Sequence, residues 1–416
     1  MGASKILVTG AGGFVGNRLT HRIALDEESS VKPMVHSISG PGTMRLSRLP
    51  IAIESGSILD ADLVEPLLED CDAVINCAHG DRETALEGTR TLLSAAERQD
   101  VDAYIHLSSA VVHGHDRSGV ITESTSFRPD TQYAELKAET EELLADWEGD
   151  VQPTIFRPCI VYGPHSPWVE NPLREVRNGA ILAENGVGEL NQIYVDNLVD
   201  ALLCAVYEPD AAGEVFLAAD DEPISWRQYY LRLGDIVRDY PPIQSMSSRQ
   251  IQQAKLARNL KDSVVPPARL FRNTLFAPET VQRAVVELRQ TPWAPKLYKR
   301  FPDSLKTQIT GRADETSRPP DDADSSAGRR ALPADNVRTM QSTRNIVSNE
   351  KLKDVLGWEQ RISFDEAMEF VAAWARYEEL VARDGQPSQP TGARAHPSAS
   401  EAERASSHPQ DSAVHQ

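Results

Sequence analysis

The fold is decided by one stretch near the start of the chain, Lys5-Ile-Leu-Val-Thr-Gly10-Ala-Gly-Gly13-Phe-Val-Gly16. An apolar run typical of a buried strand leads into three spaced glycines, and a helical pattern follows. Gly10 permits a tight turn, Gly13 lets the backbone approach a pyrophosphate, and Gly16 allows the helix to pack closely on the strand. The helix start, at Phe14 and Val15, offers free N–H groups and positive potential to phosphates. The stretch therefore predicts a dinucleotide-binding turn.

The pattern around this turn predicts a doubly wound α/β domain over residues 1–165. Short apolar runs alternate with stretches of helical period, which is typical of a parallel sheet covered by helices on both faces. The runs are nearly continuous in apolar residues, as strands buried on both faces are. The predicted strands are 6–9, 31–36, 51–54, 73–77, 103–107 and 154–156. We therefore expect a Rossmann domain followed by a smaller C-terminal substrate-binding domain.

The rest of the chain divides by composition. Residues 166–248 and 341–383 carry mixed patterns and are predicted to form the substrate-binding part, with a strand at 214–218. Ser225 is placed to cap one helix there, and Ser363 and Glu366 have capping-box spacing before another. Residues 312–340 and 384–416 are rich in Pro, Ser and charged residues. Because such segments bury too little apolar surface to offset their ordering entropy, we expect a flexible loop and a disordered tail.

Residues 249–311 form a basic amphipathic insertion. Its lysines and arginines outnumber its acidic residues, and aromatic and aliphatic side chains are interleaved with them. A stretch of this kind can lie on an anionic membrane surface. It can also form a solvated helical appendage over the substrate-binding part, and we favour this second interpretation.

The composition of the 416 residues, with a net charge of −19, narrows the class of protein. Nucleic acid is not expected as a partner, because phosphate binding needs a basic surface. The four cysteines lie in apolar stretches without CxxC spacing, so we expect buried thiols and no metal site. Without a long apolar run or a signal-peptide pattern, the expected location is the cytoplasm. A small-molecule substrate is the expected partner, and a homodimer is an open alternative to a monomer.

A candidate catalytic set follows the fifth predicted strand. Tyr133 and Lys137 are four residues apart at the start of a predicted helix, so the phenol and the ammonium share one face. A nearby ammonium lowers the pKa of a phenol, which suits a general acid or base near neutral pH. Ser108 and Ser109 end the fifth strand, where ligands bind in sheets of this kind. A hydroxyl there can hold the reacting oxygen of a substrate beside the tyrosine.

The second predicted strand bears on the choice between NAD and NADP. Enzymes that use NAD usually place Asp or Glu at the end of this strand, against the ribose 2′-hydroxyl. Here the strand ends in His36 and Ser37, without a carboxylate. With no acid to repel a 2′-phosphate, His36, Ser37 and Arg45 can hold one. We expect NAD or NADP, with NADP slightly favoured.

These motifs resemble one family, the extended short-chain dehydrogenase/reductases of the NAD-dependent epimerase/dehydratase group. The resemblance covers residues 4–240 and 345–376. The motifs that carry it are Thr9-Gly-Ala-Gly-Gly-Phe-Val-Gly16, Ser108-Ser-Ala-Val-Val-His-Gly114, Tyr133-Ala-Glu-Leu-Lys137, Phe156-Arg-Pro-Cys-Ile-Val-Tyr-Gly-Pro164, Tyr194-Val-Asp-Asn-Leu-Val199 and Leu356-Gly-Trp358.

The resemblance implies roles by position. Ser109 matches the substrate-orienting Ser or Thr, Tyr133 the acid/base, and Lys137 the residue that also binds the nicotinamide ribose. Further implied cofactor-binding residues are Ser57, Ile58, Ala78 and Pro158. Hydride would pass between a substrate carbon and nicotinamide C4 while Tyr133 moves the hydroxyl proton. His113, which replaces a frequent Tyr, is expected to be structural.

Departures from the family pattern leave the substrate open. Ala110 and Val111 stand where 4,6-dehydratases carry an Asp-Glu pair, which disfavours dehydration. Asn191 falls where many UDP-sugar enzymes place an arginine against the diphosphate, a role that Arg174 or Arg177 could take. The favoured hypothesis is an epimerase or oxidoreductase acting on a nucleotide sugar. The alternatives are an NADP-dependent dehydrogenase or reductase of a hydrophobic, steroid-like or other alcohol, and a non-catalytic cofactor-binding sensor.

Overall fold

In the computed structural model, which describes residues 4–26, 28–263 and 332–381, strands and helices alternate over the first half of the chain. The strands are β1 (Ser4–Thr9), β2 (Ser29–Val35), β3 (Glu54–Ser55), β4 (Ala73–Asn76), β5 (Ala103–Leu107), β6 (Gly119–Ile121), β7 (Pro153–Pro158), β8 (Ile160–Tyr162), β9 (Ile181–Ala183), β10 (Glu189–Leu190), β11 (Gln192–Tyr194), β12 (Val215–Ala218), β13 (Ile224–Ser225), β14 (Gln244–Met246) and β15 (Asn345–Val347). The helices are α1 (Phe14–Ala24), α2 (Pro41–Leu46), α3 (Ala61–Leu68), α4 (Thr89–Arg98), α5 (Gln132–Ala145), α6 (Pro167–Asn178), α7 (Val195–Tyr207), α8 (Trp226–Val237), α9 (Ser248–Ser263), α10 (Asp335–Met340), α11 (Glu350–Leu356) and α12 (Phe364–Tyr377). A π-helical turn at Thr84–Gly88 precedes α4.

Within the described residues, seven parallel strands form one central sheet in the order β12-β7-β5-β4-β1-β2-β3. β1 pairs with β2 on one side and with β4 on the other, so that Val8 lies opposite both Pro33 and Ile75. The chain therefore changes direction across the sheet between β1 and β4, and this switch point is where doubly wound sheets bind their ligands. The predicted doubly wound parallel sheet is confirmed.

Two apolar cores cover the faces of this sheet. Successive side chains of a strand point to opposite faces, so Ile6 and Val8 pack in the core beside α1 and α7, whereas Leu7 packs in the core beside α3 and α4. All three side chains have no exposed surface. Burial of each such side chain contributes about 1.5–3 kcal/mol to folding. The double burial explains why the strands are apolar throughout.

A third core lies in the smaller part of the chain. Tyr162, Leu173, Tyr229 and Val371 bring β8 together with α6, α8 and α12. The two predicted helix starts are confirmed, because Ser225 begins α8 and Ser363 begins α12, each in a reciprocal capping box.

The chain returns to the central sheet after residue 165. β12 lies within the range 166–248 that we predict for the substrate-binding part, yet it pairs with β7, with Phe216 opposite Phe156. Helix α7 packs against the same sheet through Leu198 and Leu202. Strand pairing joins segments that are far apart in sequence, so composition along the chain does not show this return. The remaining division into domains stays a prediction.

Two predicted boundaries are wrong. The third strand is Glu54–Ser55 rather than 51–54, an edge strand that pairs only with the end of β2. The end of the predicted flexible loop, 312–340, forms helix α10, because Val337 and Met340 pack against the third core. Residues 312–331 and the predicted tail 384–416 lie outside the described residues.

Only the beginning of the basic insertion, 249–311, is described. Ile251 of α9 is fully buried, and Lys255 Nζ lies 3.0 Å from Asp335 Oδ1 of α10. These contacts agree with an appendage packed on the protein. Residues 264–311, and with them the expected membrane contact, lie outside the described residues. Among the helices of the described ranges, none has the length and apolar character that crossing a membrane requires.

Candidate active site

The glycine turn after β1 lies at the switch point of the sheet. Gly10 has a φ of +65°, and a Cβ there would lie 2.5 Å from the carbonyl oxygen of Cys77, just after β4. A Cβ on Gly16 would lie 2.4 Å from the carbonyl oxygen of Gly10. Both contacts are too short for any side chain. Glycine is therefore required where the turn after β1 approaches the segment after β4, and where α1 approaches the turn after β1.

The start of α1 is suited to bind an anion. Gly13 is the N-cap, no side chain caps the helix, and its first turn carries no acidic residue. The first N–H groups of a helix have no partner within it, so those of Phe14, Val15 and Gly16 are available to a ligand at the start of α1. Together with the positive end of the helix dipole, they fit the diphosphate of a dinucleotide.

The other predicted cofactor residues lie at the carboxyl ends of neighbouring strands. His36 follows β2, Ser57 and Ile58 follow β3, Ala78 follows β4, and Pro158 ends β7. Ile58 is buried, and its side chain occupies the space that a Cβ on Gly88 would need. The fold thus collects these residues along one edge of the sheet.

Arg45, predicted to help hold a 2′-phosphate, is hydrogen bonded to α1. Its Nε donates to Asn17 Oδ1 at 3.2 Å, and Asn17 Nδ2 donates to the carbonyl oxygen of Gly42 at 2.9 Å. The Oγ atoms of Ser37 and Ser39 lie 2.8 Å apart in the loop that follows β2. Polar groups therefore surround the end of β2.

The predicted catalytic side chains converge at the carboxyl end of β5. Thr131 caps α5 by accepting from the N–H of Ala134 at 3.1 Å, which places Tyr133 in the first turn. Ser109 follows β5 and lies close enough to the Tyr133 hydroxyl to lower its pKa. Lys137, one turn further along α5, donates from Nζ to the carbonyl oxygen of Leu107 at 2.7 Å. The structure brings Ser109, Tyr133 and Lys137 together.

The expected lowering of the Tyr133 pKa is wrong in this structure. Burial raises the pKa of Tyr133, and the neighbouring Ser109 opposes the rise. Lys137 is itself affected more strongly: burial lowers its pKa to about 8, although Cys77 and Glu141 act in the opposite direction. Desolvation disfavours the charged form of both groups, and sequence spacing does not report it.

A buried ion pair behind the site has no counterpart in our predictions. Arg157 of β7 donates two hydrogen bonds to Oε2 of Glu141 in α5, from Nη2 at 2.6 Å and from Nε at 2.9 Å. Ser108 donates to the same carboxylate. Glu141 and Arg157 are 3 % and 5 % exposed. Glu141 lies four residues after Lys137 and therefore on the same face of α5. This spacing is the sequence signal that could have indicated a carboxylate beside the site.

His113 lies beside this ion pair. Its Nε2 is 3.3 Å from Nη1 of Arg157, and its ring packs on the ring of Phe127 with centroids 5.9 Å apart. Burial, assisted by the charge of Arg157, lowers the pKa of His113 to about 4. A neutral, buried ring in these contacts agrees with the expected structural role.

His79 is a further side chain that the sequence did not indicate. It follows β4 and meets the Tyr133 ring edge to face, with centroids 5.3 Å apart. Burial, assisted by Lys137, lowers the pKa of His79. A neutral imidazole thus supports the ring of Tyr133 from the side of β4.

The polar residues considered for a substrate diphosphate are engaged elsewhere. Asn191 Nδ2 donates to Asn345 Oδ1 at 2.8 Å, which holds β15 in place. Arg177 donates to the carbonyl oxygen of Leu380 at 2.7 Å, and Arg174 pairs with Glu170. All four cysteines are free thiols, of which Cys71 is buried as expected and the other three are partly buried. The described ranges contain no cluster of side chains suited to a metal ion.

The Rossmann sheet, the glycine turn and the serine, tyrosine and lysine beside it define a dinucleotide-dependent enzyme of the oxidoreductase type. The chain belongs to the NAD-dependent epimerase/dehydratase family, whose model matches residues 6–219. The resemblance noted from the motifs is therefore confirmed.

Three relatives show how the sequence similarity is distributed. The chain is 28% identical to the low-salt glycan biosynthesis protein Agl12 of Haloferax volcanii, over 51% of this chain and 75% of that protein. It is 26% identical to a 2-alkyl-3-oxoalkanoate reductase of Shewanella oneidensis, over 53% of this chain and 63% of that protein. It is 27% identical to a UDP-glucose 4-epimerase of Vibrio cholerae, over 57% of this chain and 76% of that protein.

Solved structures show the fold over a longer range. A UDP-glucose 4-epimerase of Thermotoga maritima with UDP-glucose superposes with a TM-score of 0.61 at 18% identity, covering 90% of this chain and 99% of that one. A UDP-glucuronic acid 4-epimerase of Bacillus cereus in complex with UDP-glucuronic acid and NAD gives a TM-score of 0.60 at 17% identity, with the same coverage. These likenesses support the fold, including the presence of a smaller part after the sheet.

Proposed function

We propose that this chain interconverts a secondary alcohol and a ketone on a nucleotide sugar, with Tyr133 as the acid/base. The observation that carries the proposal is the convergence of Ser109, Tyr133 and Lys137 at the carboxyl end of β5, beside a glycine turn suited to a diphosphate. Ser109, which follows β5, and the pair Tyr133 and Lys137 on α5 meet at the point where doubly wound sheets bind ligands.

The residues of the site divide the chemistry between them. A nicotinamide bound at the crevice would supply the hydride acceptor or donor. Ser109 holds the reacting oxygen of the substrate, and Tyr133 takes the hydroxyl proton during oxidation or returns it during reduction. Lys137, anchored on the carbonyl of Leu107, would hold the nicotinamide ribose, the role that the family resemblance implies for it.

The substrate class rests on similarity. The Thermotoga maritima and Bacillus cereus proteins are named as epimerases of UDP-sugars and carry the same fold. The Vibrio cholerae relative has the same named activity on UDP-glucose. Epimerisation by such a site is an oxidation followed by a reduction on the opposite face, so Tyr133 would accept a proton and give it back.

A second candidate is the reduction or oxidation of a hydrophobic alcohol. Asn191, Arg174 and Arg177 are engaged in contacts within the protein rather than free to bind a diphosphate. The relative from Shewanella oneidensis is named as a reductase of a 2-alkyl-3-oxoalkanoate. Both observations favour this alternative over a site that clamps a nucleotide diphosphate.

A substrate screen distinguishes the two candidates. Purified protein is mixed with UDP- and dTDP-sugars or with hydrophobic ketones, and nicotinamide absorbance and products are followed together. We expect conversion of a sugar nucleotide without net change in the cofactor. Stoichiometric consumption of reduced cofactor with a ketone would instead establish the second candidate. If neither cofactor binds, both candidates are excluded.

For the cofactor, we infer that the site accepts a nicotinamide dinucleotide with or without a 2′-phosphate, NADP being slightly favoured. Several solved structures of this fold contain NAD, among them structures from Bacillus cereus and Agrobacterium tumefaciens. The absence of Asp or Glu from the end of β2, where His36 and Ser37 stand, favours NADP.

His36→Asp is expected to weaken NADP binding by at least about tenfold while it changes NAD binding by less than about threefold. The new carboxylate would repel a 2′-phosphate, whereas it can accept a hydrogen bond from a 2′-hydroxyl. Dissociation constants for NADPH and NADH, measured by fluorescence titration, give the ratio. Leu25→Asp, at the end of α1 opposite the glycine turn and 74 % exposed, serves as a control for added charge. Equal losses for both cofactors would contradict the expectation.

A further inference from the structure

His79 lies in the loop after β4, at the same edge of the sheet as the glycine turn and Ser109. Its ring meets the Tyr133 ring edge to face, with centroids 5.3 Å apart and an angle of 82° between the ring planes. The charge of Lys137 also reaches it, since that charge contributes to the lowered pKa of His79. The imidazole therefore lies on the same side of the crevice as the phenol and the ammonium.

The ring nitrogens of His79 are not used within the described part of the protein. No residue there donates a hydrogen bond to this ring, accepts one from it or forms an ion pair with it. The residue is exposed, and so is Tyr133, which is 42 % exposed. An exposed imidazole at a ligand-binding edge can exchange the water on its nitrogens for a polar group of a ligand.

Two other histidines near the site differ from His79 in this respect. His106 and His113 are 2 % and 1 % exposed, and each has a ring nitrogen facing a protein group, Asn76 and Arg157 respectively. Such burial and contacts are typical of a histidine that belongs to the core. In His79 the contact with Tyr133 could be made by any flat ring, whereas the nitrogens are of use only to a ligand.

The chemistry around His79 favours a hydroxyl group as that ligand. Its pKa is lowered from its ordinary value near 6.5, so the ring is neutral at neutral pH and carries one donor and one acceptor. A hydroxyl likewise donates and accepts. Lys137 Nζ, with one N–H on the carbonyl of Leu107, has two more N–H groups for such a ligand. A neutral ring adds no charge to hold a phosphate, which fits the start of α1 better.

We propose that His79 is a further hydrogen-bonding residue of the site and binds a hydroxyl group of the ligand that lies against Tyr133 and Lys137. This inference rests on the proposed function. Two groups have the required chemistry, a hydroxyl of the nicotinamide ribose and a hydroxyl beside the reacting carbon of the substrate. We expect the ribose, because the family resemblance places Lys137, whose charge reaches His79, on that ribose.

Two substitutions separate the nitrogens of His79 from its ring. His79→Phe retains a flat ring that can meet Tyr133 edge to face, but it has no hydrogen-bonding atom. His79→Gln loses the ring and retains a donor and an acceptor at the end of its side chain. Because the residue is exposed, both variants should fold, with urea midpoints close to that of the parent protein.

The first measurement is the dissociation constant of the full chain for NADH, by fluorescence titration. We expect His79→Phe to raise it by about 3–10-fold, the effect of losing one hydrogen bond between neutral groups. His79→Gln should stay within about twofold of the parent. The second measurement is calorimetric binding of the substrate that the screen identifies, UDP-glucose in the expected case, to protein saturated with NADH. A loss in His79→Phe that is confined to this second step places the hydroxyl on the substrate.

The inference is overturned if His79→Phe binds both ligands as tightly as the parent, because the nitrogens then bind neither. It is equally overturned if His79→Gln loses as much affinity as His79→Phe, because hydrogen bonding by the side chain would then not account for the loss. Failure of the proposed function would appear in the parent protein, as a lack of affinity for NADH and NADPH. Failure of this inference appears only in the two variants.

Discussion

Tyr133→Phe is expected to lower turnover by about 10²–10⁴-fold, the usual range for loss of a general acid or base. The substitution removes only the hydroxyl. The edge-to-face contact of the ring with His79 and the cap of α5 by Thr131 remain. The affinity for the nicotinamide cofactor should therefore change by less than about threefold. Initial rates and cofactor titrations on the same preparation check both statements.

Tyr207→Phe is the matched control for this substitution. The Tyr207 hydroxyl lies 2.8 Å from Ser29 Oγ at the surface, away from the crevice. Its loss removes the same atom from the same kind of residue, and turnover should stay within about twofold of the parent. Near-normal turnover in Tyr133→Phe would show that the phenol does not move the proton. Equal losses in both variants would point to a general effect of the substitution.

Glu141→Gln is expected to reduce the free energy of unfolding by about 3–5 kcal/mol, the cost of leaving one charge of a buried pair without its partner. The amide retains the shape of the carboxylate and can still accept from Ser108. The guanidinium of Arg157, 5 % exposed, loses its counterion. Since whole domains are stable by only about 5–15 kcal/mol, urea unfolding should show a large decrease in midpoint.

Two controls separate the buried charge from other effects. Glu65→Gln removes a comparable but exposed pair with Arg98, 2.9 Å long, and should cost at most about 1 kcal/mol. A Glu141→Leu/Arg157→Met double variant removes both charges and should be more stable than Glu141→Gln. A loss in Glu141→Gln no larger than that in Glu65→Gln would contradict the argument.

The parts of the site that could be predicted from sequence are those set by local geometry. Tyr133 and Lys137 converge because a helix brings residues four apart onto one face. Gly10 needs a positive φ for the turn that follows β1, and this need appears in the sequence as a glycine. The order of elements follows from the alternating patterns, so the doubly wound sheet could be predicted as well.

Partners from distant segments could not be predicted in the same way. Arg157 meets Glu141 only because β7 lies beside β5 and under α5. Val215–Ala218 has the pattern of a strand, but its place next to β7 depends on a pairing that its own residues do not specify. The helix at Asp335–Met340 follows a segment of disordered composition and is held by contacts with the third core.

Local sequence was enough to specify the glycine turn, the alternation of strands and helices, and the spacing of the phenol and the ammonium, because each depends on backbone geometry within a few residues. The electrostatics of the site depend instead on contacts between distant segments. The pKa of Tyr133 is raised rather than lowered, and Lys137 acquires Glu141 as a neighbour. Each of these depends on how much water the surrounding segments exclude and which polar atoms they bring into contact.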